Sequence, residues 1–398
     1  MKDYPRVILK PGKEAALKRY HPWLFSGAVR TIRGSVKEGD TVEVFSEKNE
    51  YLGTGHWQEG SIAVKIFSFQ QADIDYEFWK SKISAAFGLR KSLGLVNNDL
   101  TNAYRLVNSE ADGIPGLIVD FYNGDAVIQA NSTGIRGILA EITEILKVLY
   151  GNELSSVYDK SEFPIPPGGR IRGGDRGGIY LYGSPHETYI REMGHHFFVD
   201  RKNGQKTGFF LDQRGNRMFA QFYARDRKVL NAFCYSGAFS VYAIKGGASL
   251  IHSIDSSRQA IDWAVANLKL NEIDPSKHLT EVADVNKFLS TTKEKYDMII
   301  LDPPAFAKSH TVTHNALQAY IYINAEALKR LNRGGILFTF SCSQAISRDM
   351  FRSAVLTSAL EADREIKILH HLSQGPDHPV SIFHPEGEYL SGLILSAE

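Results

Sequence analysis

An acid, a rigid turn and a thiol stand at the ends of two apolar runs about forty residues apart. Leu301-Asp302-Pro303-Pro304-Ala305-Phe306 closes the run that begins at Met298, and Ser341-Cys342-Ser343 closes Ile336 to Phe340. Both runs read as buried parallel strands. In an open α/β sheet, ligands bind just outside the carboxyl ends of the strands. The two segments therefore put a carboxylate and a lone thiol on one rim. A thiolate there would add to a flat, electron-poor ring and split one hard step into easier ones. Pro303 and Pro304 fix the backbone that aims Asp302, and Phe306 offers a face for a base to stack on. A buried core thiol is the common fate of cysteine. The place of Cys342 between two serines after an apolar strand favours chemistry instead.

The strands that position these groups belong to a C-terminal half in which strand and helix alternate. Lys228 to Phe233, Leu250 to Asp255, Met298 to Leu301 and Ile336 to Phe340 read as strands. Ala238 to Ile244, Arg258 to Leu270 and Asn315 to Leu331 read as helices. Alternation at this length means βαβ units on a parallel sheet. The first seventy residues read differently. Val42 to Phe45 and parts of Ile62 to Phe69 alternate apolar and polar between glycine- and asparagine-containing turns, which predicts a small all-β barrel. Tyr76 to Leu93 reads as an amphipathic helix. A hairpin is expected around Asn123-Gly124-Asp125, then a helix over Ile135 to Tyr150. Pro164, Pro166, Pro167 and the following glycine pairs predict an irregular loop. Strand-like runs follow at Gly178 to Leu181 and His196 to Val199.

Composition narrows the function classes. A chain of 398 residues exceeds one core, so two or three domains are expected. Its net charge of +1 argues for no partner by itself, but 13 basic against 7 acidic residues between Lys160 and Lys228 form a stripe suited to phosphates. Two cysteines, Cys234 and Cys342, make neither a disulfide framework nor a structural zinc site. No metal site is expected, because His195-His196 lack a third ligand at suitable spacing. Asp377-His378-Pro379 and His384 read as a late loop, a structural turn first and a proton-moving group near the site as the alternative. Met1 to Lys10 lack an apolar signal region and no run of about eighteen apolar residues occurs, so a cytoplasmic protein with no membrane contact is expected.

A cofactor signal surrounds the first strand of the alternating half. It runs into Cys234-Tyr235-Ser236-Gly237, where one glycine lets a ligand approach the backbone. No second glycine admits a pyrophosphate, and no phosphate-loop motif is present, which disfavours NAD and nucleoside triphosphates. Asp255 closes the second strand, where a carboxylate accepts from ribose hydroxyls. Asp284 ends a weaker third strand, within reach of an adenine amino group. One glycine, one ribose acid and one adenine acid describe a nucleoside without phosphates, namely S-adenosylmethionine. The expected pocket residues are Phe233, Ser236, Gly237, Asp255, Ser256, Asp284 and Asp302. With a methyl donor beside Cys342 the ring chemistry becomes specific. Cytosine C5 is a poor nucleophile until a thiolate adds at C6, and Asp302 near N3 stabilises the charge that develops.

Further segments extend the pattern along the chain. They are His21-Pro22-Trp23-Leu24-Phe25-Ser26-Gly27, Asp112 to Asp120, and Gly204-Gln205-Lys206-Thr207-Gly208-Phe209-Phe210-Leu211-Asp212-Gln213-Arg214. Together with Asp302 to Phe306 and Ser341 to Ser343, they make the chain resemble, nearly end to end, the bacterial large-subunit rRNA methyltransferase I family. Those are PUA-domain enzymes that make 5-methylcytidine in 23S rRNA. The resemblance implies an N-terminal PUA β-barrel for RNA (1–72), a central mixed α/β domain (73–190) and a C-terminal Rossmann-like class I methyltransferase (191–398). It implies that Cys342 attacks C6 and Asp302 holds the base. It places Gln213 and Arg214 near the cofactor, with Arg214 reading a carboxylate. Pro303, Pro304, Phe306 and Lys308, with Arg19 and Trp23 in the barrel, are the expected RNA contacts. Many RNA cytosine-5 methyltransferases carry a second cysteine three residues after the acid. Here that position is Ala305, and the base that removes the C5 proton is unassigned. Two other readings stay open: methylation of an exocyclic base nitrogen, and a non-catalytic RNA-binding assembly factor. The oligomeric state stays open as well, a homodimer included.

Overall fold

The computed structural model describes residues 2–161, 178–306 and 313–398. The chain forms two compact units. One holds Met1–Ile190, Val199–Phe209 and Pro376–Gly387, the other Arg191–Phe198, Phe210–Gly375 and Glu388–Glu398.

In the first unit, β1 (Arg6–Leu9), β2 (Trp23–Phe25), β3 (Val29–Arg33), β4 (Thr41–Phe45), β5 (Tyr51–Trp57) and β6 (Ile62–Ser68) form one sheet in the order β2-β6-β5-β4-β1-β3, with the short helix α1 (Ala15–Lys18) between β1 and β2. The period-2 pattern does what it predicts. Val42 and Val44 are fully buried with Val7, Leu9, Val64 and Ile66. Gly55 is required where β5 meets β6, because a Cβ there would lie 2.3 Å from the Lys65 carbonyl oxygen.

Helix α2 (Tyr76–Ser92) starts where Asp75 accepts the Phe78 N–H, an N-cap that satisfies one orphan donor. It buries Trp79 and Ile83 in a second core with a sheet ordered β11-β10-β9-β8-β7. Those strands are β7 (Ala103–Asn108), β8 (Leu117–Tyr122), β9 (Asp125–Ala130), β10 (Ser156–Asp159) and β11 (Ile179–Tyr182). The β8–β9 hairpin turns through Asn123 and Gly124 at φ +50° and +96°, as the dipeptide predicts. The helix expected over Ile135 to Tyr150 is instead two, α3 (Thr133–Gly137) and α4 (Leu139–Tyr150), broken where Ile138 leaves helical geometry after a glycine. The Pro- and Gly-rich stretch lies outside the described residues, as do Arg170, Arg172 and Arg176 of the basic stripe.

A two-stranded ribbon, β12 (Thr188–Glu192) and β13 (His195–Val199), precedes the second unit's sheet. The sequence pattern identified β13 but not β12. The sheet has seven strands ordered β16-β15-β14-β17-β18-β20-β19. Its first five are β14 (Lys228–Ala232), β15 (Leu250–Asp255), β16 (His278–Val282), β17 (Tyr296–Leu301) and β18 (Leu331–Ser341), all parallel. The antiparallel β19 (Ile366–Leu372) and β20 (Ser391–Ala397) complete it. The helices are α5 (Arg214–Tyr223), α6 (Ala238–Lys245), α7 (Arg258–Leu270), α8 (Val285–Thr291), α9 (Thr313–Arg330) and α10 (Arg348–Glu361).

The central strands read as unbroken apolar runs because both faces are covered. Leu230, Ile299, Leu301 and Leu337 enter one buried cluster, and Val229, Met298, Ile300, Ile336 and Phe338 enter another. The order reverses between β14 and β17, with Ala232 paired to Leu301. That reversal point is where an open α/β sheet leaves a crevice at its carboxyl rim. Asp302 and Phe233 are the first residues past the two strands that flank it. Among the described residues, no helix is long and apolar enough to cross a membrane.

Candidate active site

The loop after β14 is bent by three residues with left-handed backbone. Phe233, Tyr235 and Gly237 have φ of +59°, +47° and +74°. Two of these are not glycine, so the turn stores strain, a feature that clusters at ligand sites. The loop is held from below. Asp255 at the end of β15 accepts the Tyr235 N–H at 3.0 Å through Oδ2 and the Ser257 N–H at 2.9 Å through Oδ1. The Ser236 carbonyl accepts from Asn267 Nδ2 at 2.9 Å. Gly237 packs on α7 so closely that a Cβ would lie 2.8 Å from that of Ala264. The strained turn and the carboxylate beneath it fit an adenosine group, since each Asp255 oxygen keeps acceptor capacity beyond its one backbone bond. Ser256 is exposed beside Asp255. Asp284 is also exposed, and its Oδ1 caps α8 by accepting the Lys287 N–H at 2.8 Å. Phe233 is half-buried against the core.

At the neighbouring rim position, Cys342 Sγ donates to Asp302 Oδ1 at 3.7 Å. The other oxygen, Oδ2, accepts from Gln213 Nε2 at 3.0 Å. Burial, then the nearby charge of Asp212, push the Asp302 carboxyl up to about 7, while the Gln213 and Cys342 hydrogen bonds pull the other way. Its acid and base forms are therefore both accessible near neutrality. Pro303 is buried and anchors the turn, whereas Pro304 and Ala305 are exposed. Phe306 is half-buried with its ring 4.8 Å from that of Tyr320. Lys308 lies outside the described residues. Cys234, six residues after β14 begins, has the opposite surroundings. It is 6% exposed among Ile261 and Ala264, and burial pushes its thiol well up.

The segment Leu211 to Arg217 links these parts. Gln213 is fixed by Asn216, whose Nδ2 donates to Gln213 Oε1 at 2.6 Å. Asp212 accepts the Tyr389 O–H at 2.7 Å. Arg217 grips both oxygens of Glu192 at 2.8 Å, and Arg214 Nε lies 3.3 Å from Glu192 Oε2. Sequence reasoning gave no role to Asp212, Glu192, Asn216 or Tyr389, and it put Arg214 and Arg217 in the basic stripe suited to phosphates, whereas both are buried beside Glu192. The i, i+3 spacing of Arg214 and Arg217 was the available signal for a shared buried anion.

In the first unit, Arg19 is exposed and Trp23 half-buried. The Trp23 Nε1–H donates to Glu110 Oε1 at 2.9 Å, and its ring meets His384 at 4.4 Å. Lys13, Leu17, Trp23 and Phe25 line a concavity. His21, His384 and Glu386 bring three ligand-type atoms within 4.8 Å of one another. Glu386 lies 3.3 Å from His21 and 3.0 Å from His384.

Comparison with known proteins gives this geometry a family. Residues 170–382 match the S-adenosylmethionine-dependent methyltransferase family, and residues 7–69 match the PUA-like domain family. The chain is 39% identical to Ribosomal RNA large subunit methyltransferase I of Tolumonas auensis over 98% of its own length and 99% of the relative's. It is 40% identical to the Pseudoalteromonas atlantica protein of the same name, covering 98% of each. Its fold is shared with a chain from Streptococcus mutans assigned as a SAM-dependent methyltransferase, at a TM-score of 0.83, 23% identity and coverage of 98% and 99%. A methyltransferase structure complexed with SAH superposes at a TM-score of 0.84, also with 23% identity and coverage of 98% and 99%. By near-complete similarity to those relatives, this chain belongs to the ribosomal RNA large subunit methyltransferase I family of S-adenosylmethionine-dependent enzymes.

Proposed function

We propose that the protein methylates C5 of a cytidine in 23S ribosomal RNA through a covalent Cys342 adduct. The observation that carries this reading is the 3.7 Å contact between Cys342 Sγ and Asp302 Oδ1 at the carboxyl ends of adjacent parallel strands. The relatives' names support a large-subunit rRNA substrate. The cofactor pocket of this reading comprises Phe233, Ser236, Gly237, Asp255, Ser256 and Asp284, together with Gln213 and Arg214. Bound S-adenosylmethionine supplies an electrophilic methyl group.

The chain's own residues do the rest. Asp302, as carboxylate, takes the proton of Cys342, and the thiolate forms a bond to ring C6. Asp302, now a neutral acid, offers that proton to N3, so electron density collects at C5. C5 is the atom methylated. The C5 proton leaves to solvent, Asp302 takes back the N3 proton as the S–C6 bond breaks, and the thiolate then recovers that proton, so the ring, Cys342 and the Asp302 carboxylate are all restored. A carboxyl pushed up to about 7 suits both halves of this cycle. Gln213 holds the second oxygen so that Oδ1 stays toward the thiol. Pro303 and Pro304 border the base in this reading.

RNA recognition falls to the barrel of residues 1–72, with 73–190 as a central domain and 191–398 as the transferase. Exposed Arg19 and the concavity with Lys13, Trp23 and Phe25 support that division. The test is incubation with methyl-labelled cofactor and unmodified rRNA, followed by nucleoside identification and position mapping. Label in 5-methylcytidine of 23S RNA is expected. Label on an exocyclic nitrogen would overturn the reading.

A further inference from the structure

We propose that His21, His384 and Glu386 bind a zinc ion, at a site in the first unit that no step of methyl transfer uses. The backbone fixes two of the three: the His21 N–H donates to the Ala16 carbonyl at 3.1 Å, and the His384 N–H donates to the Ser381 carbonyl at 2.9 Å. Glu386 follows two residues later, on the single helical turn Pro385–Gly387. His384 is 3% exposed, and its Nδ1 is buried with no hydrogen-bond partner among the described residues. Glu386 Oε2 lies 3.0 Å from that nitrogen but is not aligned as a hydrogen bond. A buried ring nitrogen without a partner is costly, and native structures keep one where a water or ion completes the site.

Convergence selects a metal over a water. One atom from each of the three side chains lies within 4.8 Å of the other two, and His21 Nε2 is 3.3 Å from Glu386 Oε1. With zinc–ligand bonds of about 2.0–2.1 Å, ligand atoms on one tetrahedral ion stand about 3.3 Å apart. Two imidazoles and a carboxylate are the donor set of zinc sites that keep a fourth position for water. Ferrous iron uses the same set, but such ligands hold zinc more tightly. The outer contacts suit the ion as well. His21 Nδ1 accepts the Trp23 N–H at 3.2 Å and has the Trp23 carbonyl oxygen at 3.4 Å. With zinc on Nε2 the ring proton moves to Nδ1 and points at that carbonyl, the usual partner of a metal-bound histidine. Glu110, held by the Trp23 Nε1–H at 2.9 Å, is close enough for its charge to act on His384, so two carboxylates face the dication. Sequence spacing conceals the trio, because 365 residues separate His21 from Glu386. The ion ties the late turn to the start of β2.

The test is calorimetric titration of the full, tag-free chain with Zn²⁺ after dialysis against a chelator. One equivalent is expected to bind. His384→Ala and Glu386→Gln should each weaken that binding by more than about 100-fold, since losing even an outer partner of a metal ligand costs about 10- to 100-fold. Glu386→Gln guards against misfolding, because the Glu386 side chain is 45% exposed and the change is nearly isosteric. Co²⁺ in place of zinc should give the visible absorption of tetrahedral cobalt in the wild type and not in Glu386→Gln. No zinc bound by the wild type, or binding unchanged in both variants, would overturn the assignment. The readout is metal and not methyl transfer, so either result leaves the proposed reaction to its own test.

Discussion

Two cysteines sit just past the carboxyl ends of strands in one sheet, and their surroundings give them opposite chemistry. Cys234 follows β14, packs on Ile261 and Ala264, and is held as a neutral thiol by burial. Cys342 follows β18, is partly exposed, and faces a carboxylate that holds or releases a proton near neutrality. Strand position alone therefore does not make a nucleophile. What distinguishes the pair is a proton acceptor within reach and a path to the crevice, and only Cys342 has Asp302 as its partner.

The comparison is sharpened most by removing each sulfur. Cys342→Ala should lower single-turnover methyl transfer by at least about 1,000-fold while calorimetric cofactor affinity stays within about twofold. Asp302→Asn comes next. Losing the proton acceptor should cost about 100- to 1,000-fold in rate. The wild-type rate should climb with pH through about 7, because Asp302 must be ionised to take the thiol proton, and the variant's pH–rate profile should lose that limb. Gln213→Ala should act more gently. The Gln213 hydrogen bond lowers the Asp302 pKa, so its loss moves the limb to higher pH and reduces the rate at pH 7 by about tenfold. Cys234→Ala should change turnover by less than about twofold and cost about 1 kcal/mol in denaturant unfolding, the loss of one packed sulfur. A large catalytic defect in that variant, with folding intact, would erase the contrast between the two thiols.

The parts of this account that were legible in the sequence are those with local signatures. Continuous apolar runs identified β17 and the second half of β18, because both sheet faces are covered, while β14 and β15 stood out as shorter apolar runs broken by Asn231 and by His252-Ser253. Residues directly after such runs fall at the rim whatever the loops do, so Asp255, Asp302 and Cys342 were found from position alone. Contacts between distant segments left no such trace. Asp212 meets Tyr389 across 177 residues, and Gln213 meets Asp302 across 89. The same holds for Arg217 and Glu192. The antiparallel β19 and β20 also escaped, since Ile366–Leu372 mixes histidine, lysine and leucine and has an irregular register. Ser257, not Asp255, caps α7, which leaves the Asp255 carboxylate for the loop above it.

The most direct test uses rRNA transcribed with 5-fluorocytidine, whose C5 substituent cannot leave as a proton. With S-adenosylmethionine present, the wild-type protein should form an adduct that survives denaturing electrophoresis and maps by mass spectrometry to Cys342. Cys234→Ala should trap as well as wild type, and Cys342→Ala should not trap at all. An adduct that persists in Cys342→Ala, or that maps to Cys234, would contradict the account.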